Sequence, residues 1–350
     1  MATDASTPPS KVHFVGSIGL DTVQDVFHAC GTMLGERLER IPDGEPGGRR
    51  LWCSWQIPLL RASPFFTVAN PGQGGAIFGA LKLASGVQPD EVRFGELGYA
   101  REARASYQDF LDAKRKGELP AKTRFQVSIP TPFACLYGQF VPEAYPIAEK
   151  AYTEAMLREV AAICSAIPHQ DLCIQWDVCF EMVIWDGGNK FWQWQMPGDK
   201  KTGIISRLKT ISEPIPSDVE LGFHLCYGDL DAQHFFNPKD AGAMVDIANA
   251  ISSSIKRPIA YIHMPVPIDR SDDAFFKPFD NLSLAPGTEV FLGVVHAKDG
   301  VPGLRKRVDA ARKHLSEFGI ATECGIARAR TPRVVHEILE ICAAGTQAEQ

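Results

Sequence analysis

The stretch ELGFHLCYGD, residues 220–229, contains one of the short apolar, strand-like runs that recur along this chain and decide its fold. Its core, residues 221–226, is a mostly apolar run with the length of a β-strand, yet it carries His224 and Cys226 two positions apart. Because successive side chains of a strand point to opposite faces, these two side chains face the same way. The stretch therefore predicts a buried strand that presents an imidazole and a thiol together on one side.

Seven other short apolar runs have the same strand-like character. They cover residues 11–16, 91–97, 123–129, 171–177, 259–264, 289–296 and 320–325. Segments with helical periodicity lie between the strands and include residues 21–40, 99–116, 142–167, 240–255, 303–318 and 331–344. Strands that alternate with helices are typical of a parallel sheet, since each crossover must be long enough to hold a helix. Eight such units predict an α/β fold, a single (β/α)8 TIM barrel over residues 1–350, with residues 1–10 as a disordered tail.

Two long stretches exceed what a minimal barrel needs. Residues 41–89, after the first helix, are rich in Gly, Pro and aromatic residues, and residues 180–201, after the fourth strand, contain three of the six tryptophans. Loops of this length usually serve a site or cover one. We therefore expect both insertions to lie near the functional end of the barrel.

Composition limits the classes of function. The 350 residues carry a formal net charge of −6, and the only cluster of basic residues is the short GLRKR at 303–307. This balance provides no general basic surface for a phosphate backbone, so we do not expect nucleic acid as a partner. The polar amino terminus and the lack of any apolar run of membrane-spanning length predict a cytoplasmic protein that does not enter a membrane. The nine cysteines are scattered and odd in number, so we expect free thiols.

Polar residues recur where the predicted strands end. Active sites of TIM barrels lie at the carboxyl ends of the strands, so residues at these positions are candidates for function. Some of them would be polar by chance, because strand ends are wet on either side of a barrel. The candidates are Ser17, Glu96, Asp177, His224, Cys226, His263, His296 and Cys324.

Three of these candidates have the chemistry of a metal site. Thiolate and imidazole suit Zn²⁺, and a catalytic zinc takes about three protein ligands and keeps one position open. His224, Cys226 and Cys324 supply these donors, since the fifth and eighth strands of a closed barrel face a common mouth. The alternative is that both cysteines are buried core thiols and the histidine is a hydrogen-bonded core residue.

The motifs around these residues resemble a known family. GFHLCYGD (222–229), the strand VFLGVVHAKDG (290–300) and IATECGIARAR (320–330) are similar to the zinc-bearing catalytic barrel of cobalamin-independent methionine synthase. VGSIG (15–19), RFGE (93–96) and IQWD (174–177) resemble it as well, in the same order along the chain. The resemblance spans most of the chain but only one barrel, and the wider superfamily includes the uroporphyrinogen decarboxylase barrel.

The resemblance implies a zinc enzyme. Carried over residue by residue, it makes His224, Cys226 and Cys324 zinc ligands, with His263 in place of the family's fourth ligand, a glutamate. The implied cofactor is Zn²⁺, and the implied activity is transfer of a methyl or alkyl group from an alkyl donor to a small-molecule thiol held as a zinc-bound thiolate.

The resemblance also implies roles for the remaining candidates. Asp177 would be catalytic, and Ser17 and Glu96 would contact substrate. His296, which stands where the family has an aspartate, is a further catalytic candidate at a position where this sequence departs from the family. Where the family has a further glutamate, before FGE, this sequence is aligned with Val92. An ammonium group would lose one carboxylate partner there, so we expect an acceptor other than homocysteine.

Residues without a counterpart in the family are further candidates for substrate binding. Arg49 and Arg50 lie in a Gly/Pro-rich loop, where an arginine fork can clamp a carboxylate or phosphate, unless the loop is a solvated turn. Trp192 lies in the Trp-rich insertion, which either covers an organic ligand or packs on the surface. Three other functions stay open: a lyase or decarboxylase that uses Asp177 and the arginines, a single-barrel methionine synthase, and a non-catalytic zinc protein.

Overall fold

Eight parallel strands form one sheet that curves into a barrel and confirms the predicted fold class. The structure is a computed structural model, and it describes residues 8–69, 79–188, 196, 198–230 and 233–347. The barrel strands are β1 (Val12–His13), β2 (Arg40–Pro42), β3 (Arg124–Pro130), β4 (Leu172–Val178), β5 (Glu220–Leu225), β6 (Tyr261–Pro265), β7 (Glu289–Val295) and β8 (Gly319–Thr322). Their order in the sheet is β1-β8-β7-β6-β5-β4-β3-β2. Two isolated parallel bridges, Val12 to Leu38 and Ser17 to Gly44, join the first strand to the segment of the second.

Helices follow the strands and cover the outside of the barrel. The α-helices are α1 (Val23–Leu34), α2 (Ile57–Ala62), α3 (Tyr99–Arg115), α4 (Pro132–Leu136), α5 (Tyr145–Ala166), α6 (Phe180–Trp185), α7 (Lys200–Ser212), α8 (Gly242–Ser254), α9 (Asp273–Phe276), α10 (Gly300–Arg312) and α11 (Pro332–Gly345). Short 3₁₀ helices cover Gly35–Arg37, Gly47–Gln56, Pro89–Glu91, His169–Asp171 and Lys277–Asn281. An antiparallel hairpin, Phe66–Val68 with Leu81–Leu83, lies outside the barrel. No helix within the described residues is long and apolar enough to cross a membrane.

The sequence explains why these elements form. All seven residues of β4 are buried, as expected for a strand that packs against the barrel interior on one face and helices on the other. Helix α1 begins at Thr22, whose side chain accepts from the Asp25 amide while the Asp25 carboxylate accepts from the Thr22 amide. This capping box satisfies amides that a helix start would otherwise leave without partners.

A charge network closes the amino-terminal end of the barrel. Arg40 is 6% exposed and donates to Glu220 at 2.6 Å and to Glu289 at 2.9 Å. A guanidinium buried here is tolerated because two carboxylates satisfy it. The amino-terminal end of the barrel therefore contributes to stability, and a functional site is expected at the carboxyl-terminal end.

One strand prediction is wrong. Residues 91–97 form the end of a 3₁₀ turn and an irregular segment, and the second barrel strand is β2, which lies within the predicted helix 21–40 and the first insertion. The alternation of apolar residues at 92 and 94 suggested a strand, but Phe94 instead packs against Phe66 at 6.0 Å and Tyr152 at 5.4 Å between ring centroids. The true strand has three residues and ends in proline, so it carries little periodicity to recognise.

The first insertion therefore follows β2 and reaches the carboxyl-terminal end of the barrel. The second begins as helix α6, in which Trp185 is 8% exposed and donates to Asp246 of α8 at 3.1 Å, so this tryptophan packs against a helix. Trp192, predicted to contact substrate, and residues 1–7 of the predicted tail lie outside the described residues.

Candidate metal and substrate site

A cavity opens at the carboxyl-terminal end of the barrel, where the sequence places the site. Its volume is about 850 Å³, including the part that is continuous with solvent. The polar residues and thiols that line it are Ser17, Glu45, Trp52, Cys53, Asp177, Cys179, His224, Cys226, Asp229, Cys324 and Arg328. The predicted candidates Ser17, Asp177, His224, Cys226 and Cys324 are thus brought together.

Three potential metal ligands lie at one place in this cavity. One side-chain atom each of His224, Cys226 and Cys324 falls within 4.8 Å of the others, and the two sulfurs are 3.6 Å apart. His224 lies on β5, Cys226 directly follows it, and Cys324 comes two residues after β8. The alternation along β5 therefore places the imidazole and the thiol on the same side, as the sequence predicts.

Hydrogen bonds determine which nitrogen of His224 is available. His263 donates from Nε2 to the Thr322 carbonyl at 2.9 Å, because a carbonyl oxygen can only accept. His263 Nδ1 is then an acceptor for His224 Nδ1–H at 2.7 Å. His224 Nε2 is left with its lone pair, and this buried atom has no hydrogen-bond partner among the described residues. Burial lowers the pKa of both imidazoles, that of His263 to about 3, so both are neutral and His224 has the form that binds metals.

His263 does not occupy the position expected of a fourth ligand. It is paired in register with His224 on the neighbouring strand, and both of its ring nitrogens are already hydrogen-bonded. The three-atom cluster does not include it. The arrangement instead has the geometry of a second residue that holds a ligand in one orientation and tautomer.

Arg328 is a site residue that the sequence analysis did not single out. Its guanidinium lies 3.3 Å from Cys324 Sγ, 3.5 Å from Ser17 Oγ and 3.3 Å from the Asp229 carboxylate. Asp229 is buried and also accepts from Arg330 at 2.9 Å, so the two arginines share one carboxylate. Arg328 therefore places a positive charge beside the thiols. The sequence feature that could have identified Arg328 is its position in IARAR, inside the motif that carries Cys324.

Three carboxyl groups line the cavity, and two of them, Asp177 and Glu45, hold their protons unusually well. Burial raises the pKa of Asp177 to about 7, although hydrogen bonds from Gln175 and Trp52 at 2.8 and 3.0 Å oppose the rise. Burial raises the pKa of Glu45 to about 8, and the negative charges of Asp177 and Asp43 add to the rise. Carboxyl groups with such values are common where a cationic group binds or a proton moves.

Glu45 was also missed as a site residue. It follows Gly44, where φ is 79° and a Cβ would lie 2.6 Å from Val26, so the turn requires glycine. Glu45 itself has φ of 51°, a strained conformation for glutamate that often marks functional positions. Val92, which the sequence analysis aligns with a glutamate of the family, lies in the irregular segment and does not line the cavity, whereas Glu45 reaches the cavity from the loop after β2.

Besides His263, four predicted residues of the described chain do not line the cavity. Glu96 is 55% exposed and pairs with Arg101 at 3.5 Å, because no strand directs it inward. Arg49 pairs with Asp43 at 2.8 Å, and Arg50 donates to the Leu20 carbonyl. His296 lies 2.9 Å from the Val266 carbonyl and 3.3 Å from Glu323. Arg49 and Arg50 therefore hold the loop in place, whereas Arg328 lines the cavity.

Solved structures of the same architecture are similar to this chain. A chain from Listeria monocytogenes, provisionally named a vitamin-B12-independent methionine synthase, superposes with a TM-score of 0.57 at 14% identity over 97% of this chain and 98% of that chain. A B12-independent methionine synthase from Shewanella in complex with selenomethionine gives 0.58 at 13% identity over 97% of both. A methyltransferase from Methanosarcina mazei gives 0.52 at 9% identity over 97% of this chain and 93% of that chain. The chain matches no protein-family model and no curated protein by sequence.

Proposed function

We propose that this protein is a zinc-dependent transferase that moves a methyl or alkyl group to the sulfur of a small-molecule thiol. The observation that carries the proposal is the convergence of one ring nitrogen of His224 with Cys226 Sγ and Cys324 Sγ in the cavity. Soft and borderline donors in this combination are typical of zinc sites that retain an open position. The names of the three similar structures, two methionine synthases and a methyltransferase, support the same class of reaction.

The residues present fit zinc. Two sulfurs bound to one tetrahedral zinc at ~2.3 Å would stand about 3.8 Å apart, and the two thiols here are 3.6 Å apart. The buried lone pair of His224 Nε2 has no other partner among the described residues, which is costly unless a metal takes it. When bound, zinc lowers the pKa of a thiol that joins it, so that the sulfur is nucleophilic at neutral pH.

The cavity favours an acceptor that carries an ammonium group. Burial raises the pKa of both Asp177 and Glu45, and the charge of Asp177 adds to the rise for Glu45; a bound cation would offset these effects. Trp52 donates to one carboxylate oxygen of Asp177 at 3.0 Å and fixes its position. The second oxygen accepts from Gln175 alone. Arg328 is placed to neutralise an anionic group of the same molecule or the thiols beside it.

The mouth of the cavity suits the apolar part of a ligand. Among the described residues, the large hydrophobic side chains with the greatest exposure are Leu51, Leu230 and Phe235, at 58%, 61% and 45%, and all three line this cavity. Exposed apolar residues that cluster at a cavity commonly bind ligands. We propose that they contact the alkyl donor and exclude water from the sulfur.

A single-barrel methionine synthase is a second candidate, and the Glu45 and Asp177 pair specifically favours it. The sequence argued against homocysteine because one carboxylate partner of its ammonium group was thought to be missing, and Glu45 together with Asp177 would supply two such partners. The superposition with the Shewanella methionine synthase covers 97% of each of the two chains. This chain therefore has the size for the same activity.

A matched pair of thiols tests the proposal. Zinc-loaded protein is incubated with a set of methyl donors, including a methylated folate, and with either homocysteine or 4-mercaptobutanoate, which lacks the ammonium group. We expect kcat/KM for methyl transfer to be about 10–100-fold higher with homocysteine than with 4-mercaptobutanoate. This ratio is the contribution expected from one charge-assisted hydrogen bond. Equal rates for the two thiols would refute the ammonium site, and no alkylation of any thiol would refute the function.

A further inference from the structure

A second cavity lies among the helices outside the barrel, and we call it the lateral cavity. Residues of α4, α5, α6 and α7 line it, and its volume is about 1030 Å³, including the part that is continuous with solvent. No residue that lines the lateral cavity also lines the cavity of the barrel. The two cavities come closest along the chain at the start of α6, where Phe180 lines the barrel cavity and Glu181 lines the lateral one.

Glu181 is a fully buried carboxyl group with one oxygen that lacks a partner. The residue is 0% exposed, and its Oε1 accepts a hydrogen bond from the hydroxyl of Thr131. The same hydroxyl accepts from the Ala134 amide at 3.1 Å, so its single proton is already used and it has none for Oε2. Oε2 is buried and has no hydrogen-bond partner among the described residues. A buried acceptor without a partner is costly, so a donor from outside the chain is expected here.

The nearest cation of the cavity wall does not supply that donor. Arg207 donates from Nε and Nη2 to both oxygens of Glu149, at 2.7 and 2.9 Å, and from Nη1 to the Gly203 carbonyl at 3.2 Å. Arg207 and Glu149 therefore neutralise each other, and Glu181 has no counter-ion of its own. Burial raises the pKa of Glu181 to about 7, although the hydrogen bond from Thr131 opposes the rise.

The rest of the wall suits a short hydrocarbon chain. The other charged residues that line the cavity, Lys150 and Glu154, are exposed. Apolar residues supply much of the remaining wall, namely Pro132, Phe133, Pro146, Leu157, Leu208 and Ile211. A mostly apolar cavity with one well-placed polar group is typical of a site for a small organic ligand.

We propose that the lateral cavity is a second binding site, for a small organic ammonium ion that pairs with Glu181 and packs its hydrocarbon chain on the apolar wall. An ammonium group supplies both the donor that Oε2 lacks and the charge that offsets burial of a carboxylate. A metal ion does not fit, because the one group of three metal-binding side chains within the described residues lies in the barrel cavity. No solvent reaches Oε2, so binding requires a change of rotamer in the wall, which is common when ligands bind. This site goes beyond the proposed function and does not depend on it.

Methyl-labelled NMR of the purified protein tests the site with a matched pair of probes. Butylamine, which is a cation at neutral pH, is compared with 1-butanol, which has the same chain and no charge. The methyl groups of Leu208 and Ile211 report on the lateral cavity, and those of Leu51 and Leu230 report on the barrel cavity. We expect butylamine to shift the Leu208 and Ile211 signals with saturation, and 1-butanol to bind about 10–100-fold more weakly, as expected for loss of a charge-assisted hydrogen bond.

Two variants identify the carboxyl group that binds. Glu181→Gln should weaken butylamine binding, read at Leu208 and Ile211, by about 10–100-fold. Glu154→Gln is the matched control, because its carboxylate is exposed at the same cavity and should change the affinity less than about threefold. Equal affinity for the amine and the alcohol, or unchanged amine affinity in Glu181→Gln, would overturn the proposal. Amine shifts at Leu51 and Leu230 alone would also overturn it and leave the proposed function standing. The comparison of the two probes uses wild-type protein alone, so it decides the question even if Glu181→Gln fails to fold.

Discussion

Replacing Glu45 with glutamine should stabilise the protein at alkaline pH and have little effect at acidic pH. Burial raises the pKa of Glu45 to about 8, whereas the ordinary value, which applies to the unfolded chain, is 4.5. Between these two values the folded protein holds a proton that the unfolded chain has lost. Stability therefore falls as pH rises from about 4.5 to about 8, and the loss is complete above the folded pKa.

The size of the effect follows from the same two values. Their difference corresponds to about 4.8 kcal/mol at ~1.36 kcal/mol per pKa unit. Glu45 lines a cavity that is continuous with solvent and keeps part of its surface exposed, so water screens some of this cost. We expect Glu45→Gln to gain about 2–4 kcal/mol at pH 9. For 350 residues this is a rise in Tm of about 3–5 °C.

Calorimetry and urea unfolding of the zinc-loaded protein at pH 5 and pH 9 measure this difference. Glutamine keeps the shape of glutamate and makes the same demand on the backbone at φ of 51°, so only the ionisation changes. Glu96→Gln is the matched control, because Glu96 is 55% exposed and should give no pH-dependent difference. Equal effects of Glu45→Gln at the two pH values, or a variant less stable than wild type at pH 9, would refute the reasoning.

Four further substitutions separate the roles of the site. Cys226→Ser and Cys324→Ser should each lose most of the zinc in elemental analysis after dialysis, and full occupancy in either would remove the metal hypothesis. Asp177→Asn should keep its zinc but lower turnover and remove the rise of kcat/KM with pH near the pKa of about 7, whereas loss of zinc would show that Asp177 is a ligand. His263→Phe should weaken zinc binding about 10–100-fold with an unchanged ligand count, because His224 would lose the partner that orients it. A loss of one nitrogen ligand in that variant would instead make His263 a ligand.

The sequence by itself determined the architecture and the centre of the site. Alternation of strand and helix periods requires a parallel sheet, and the spacing of His224 and Cys226 requires a common face, because both follow from local backbone geometry. Cys324 could be assigned to the same site as His224 and Cys226, because the carboxyl ends of all strands of a barrel surround one opening. These inferences need only the period of each element and the direction of the chain.

Tertiary structure decided the residues around that centre. Glu45 and Arg328 reach the cavity from loops, and Trp52 reaches it from a kink in the 3₁₀ helix Gly47–Gln56. The paths of such segments depend on turns and packing that have no period in the sequence. Strand 91–97 was mistaken because its apolar residues pack against aromatic rings of distant segments, which a local pattern does not distinguish from a sheet. His263 has the right residue type and strand position for a ligand, but its role depends on which atoms meet its two nitrogens. Such partners are set by register between strands, and a hydrogen bond between residues far apart in the chain exists only once the barrel has closed.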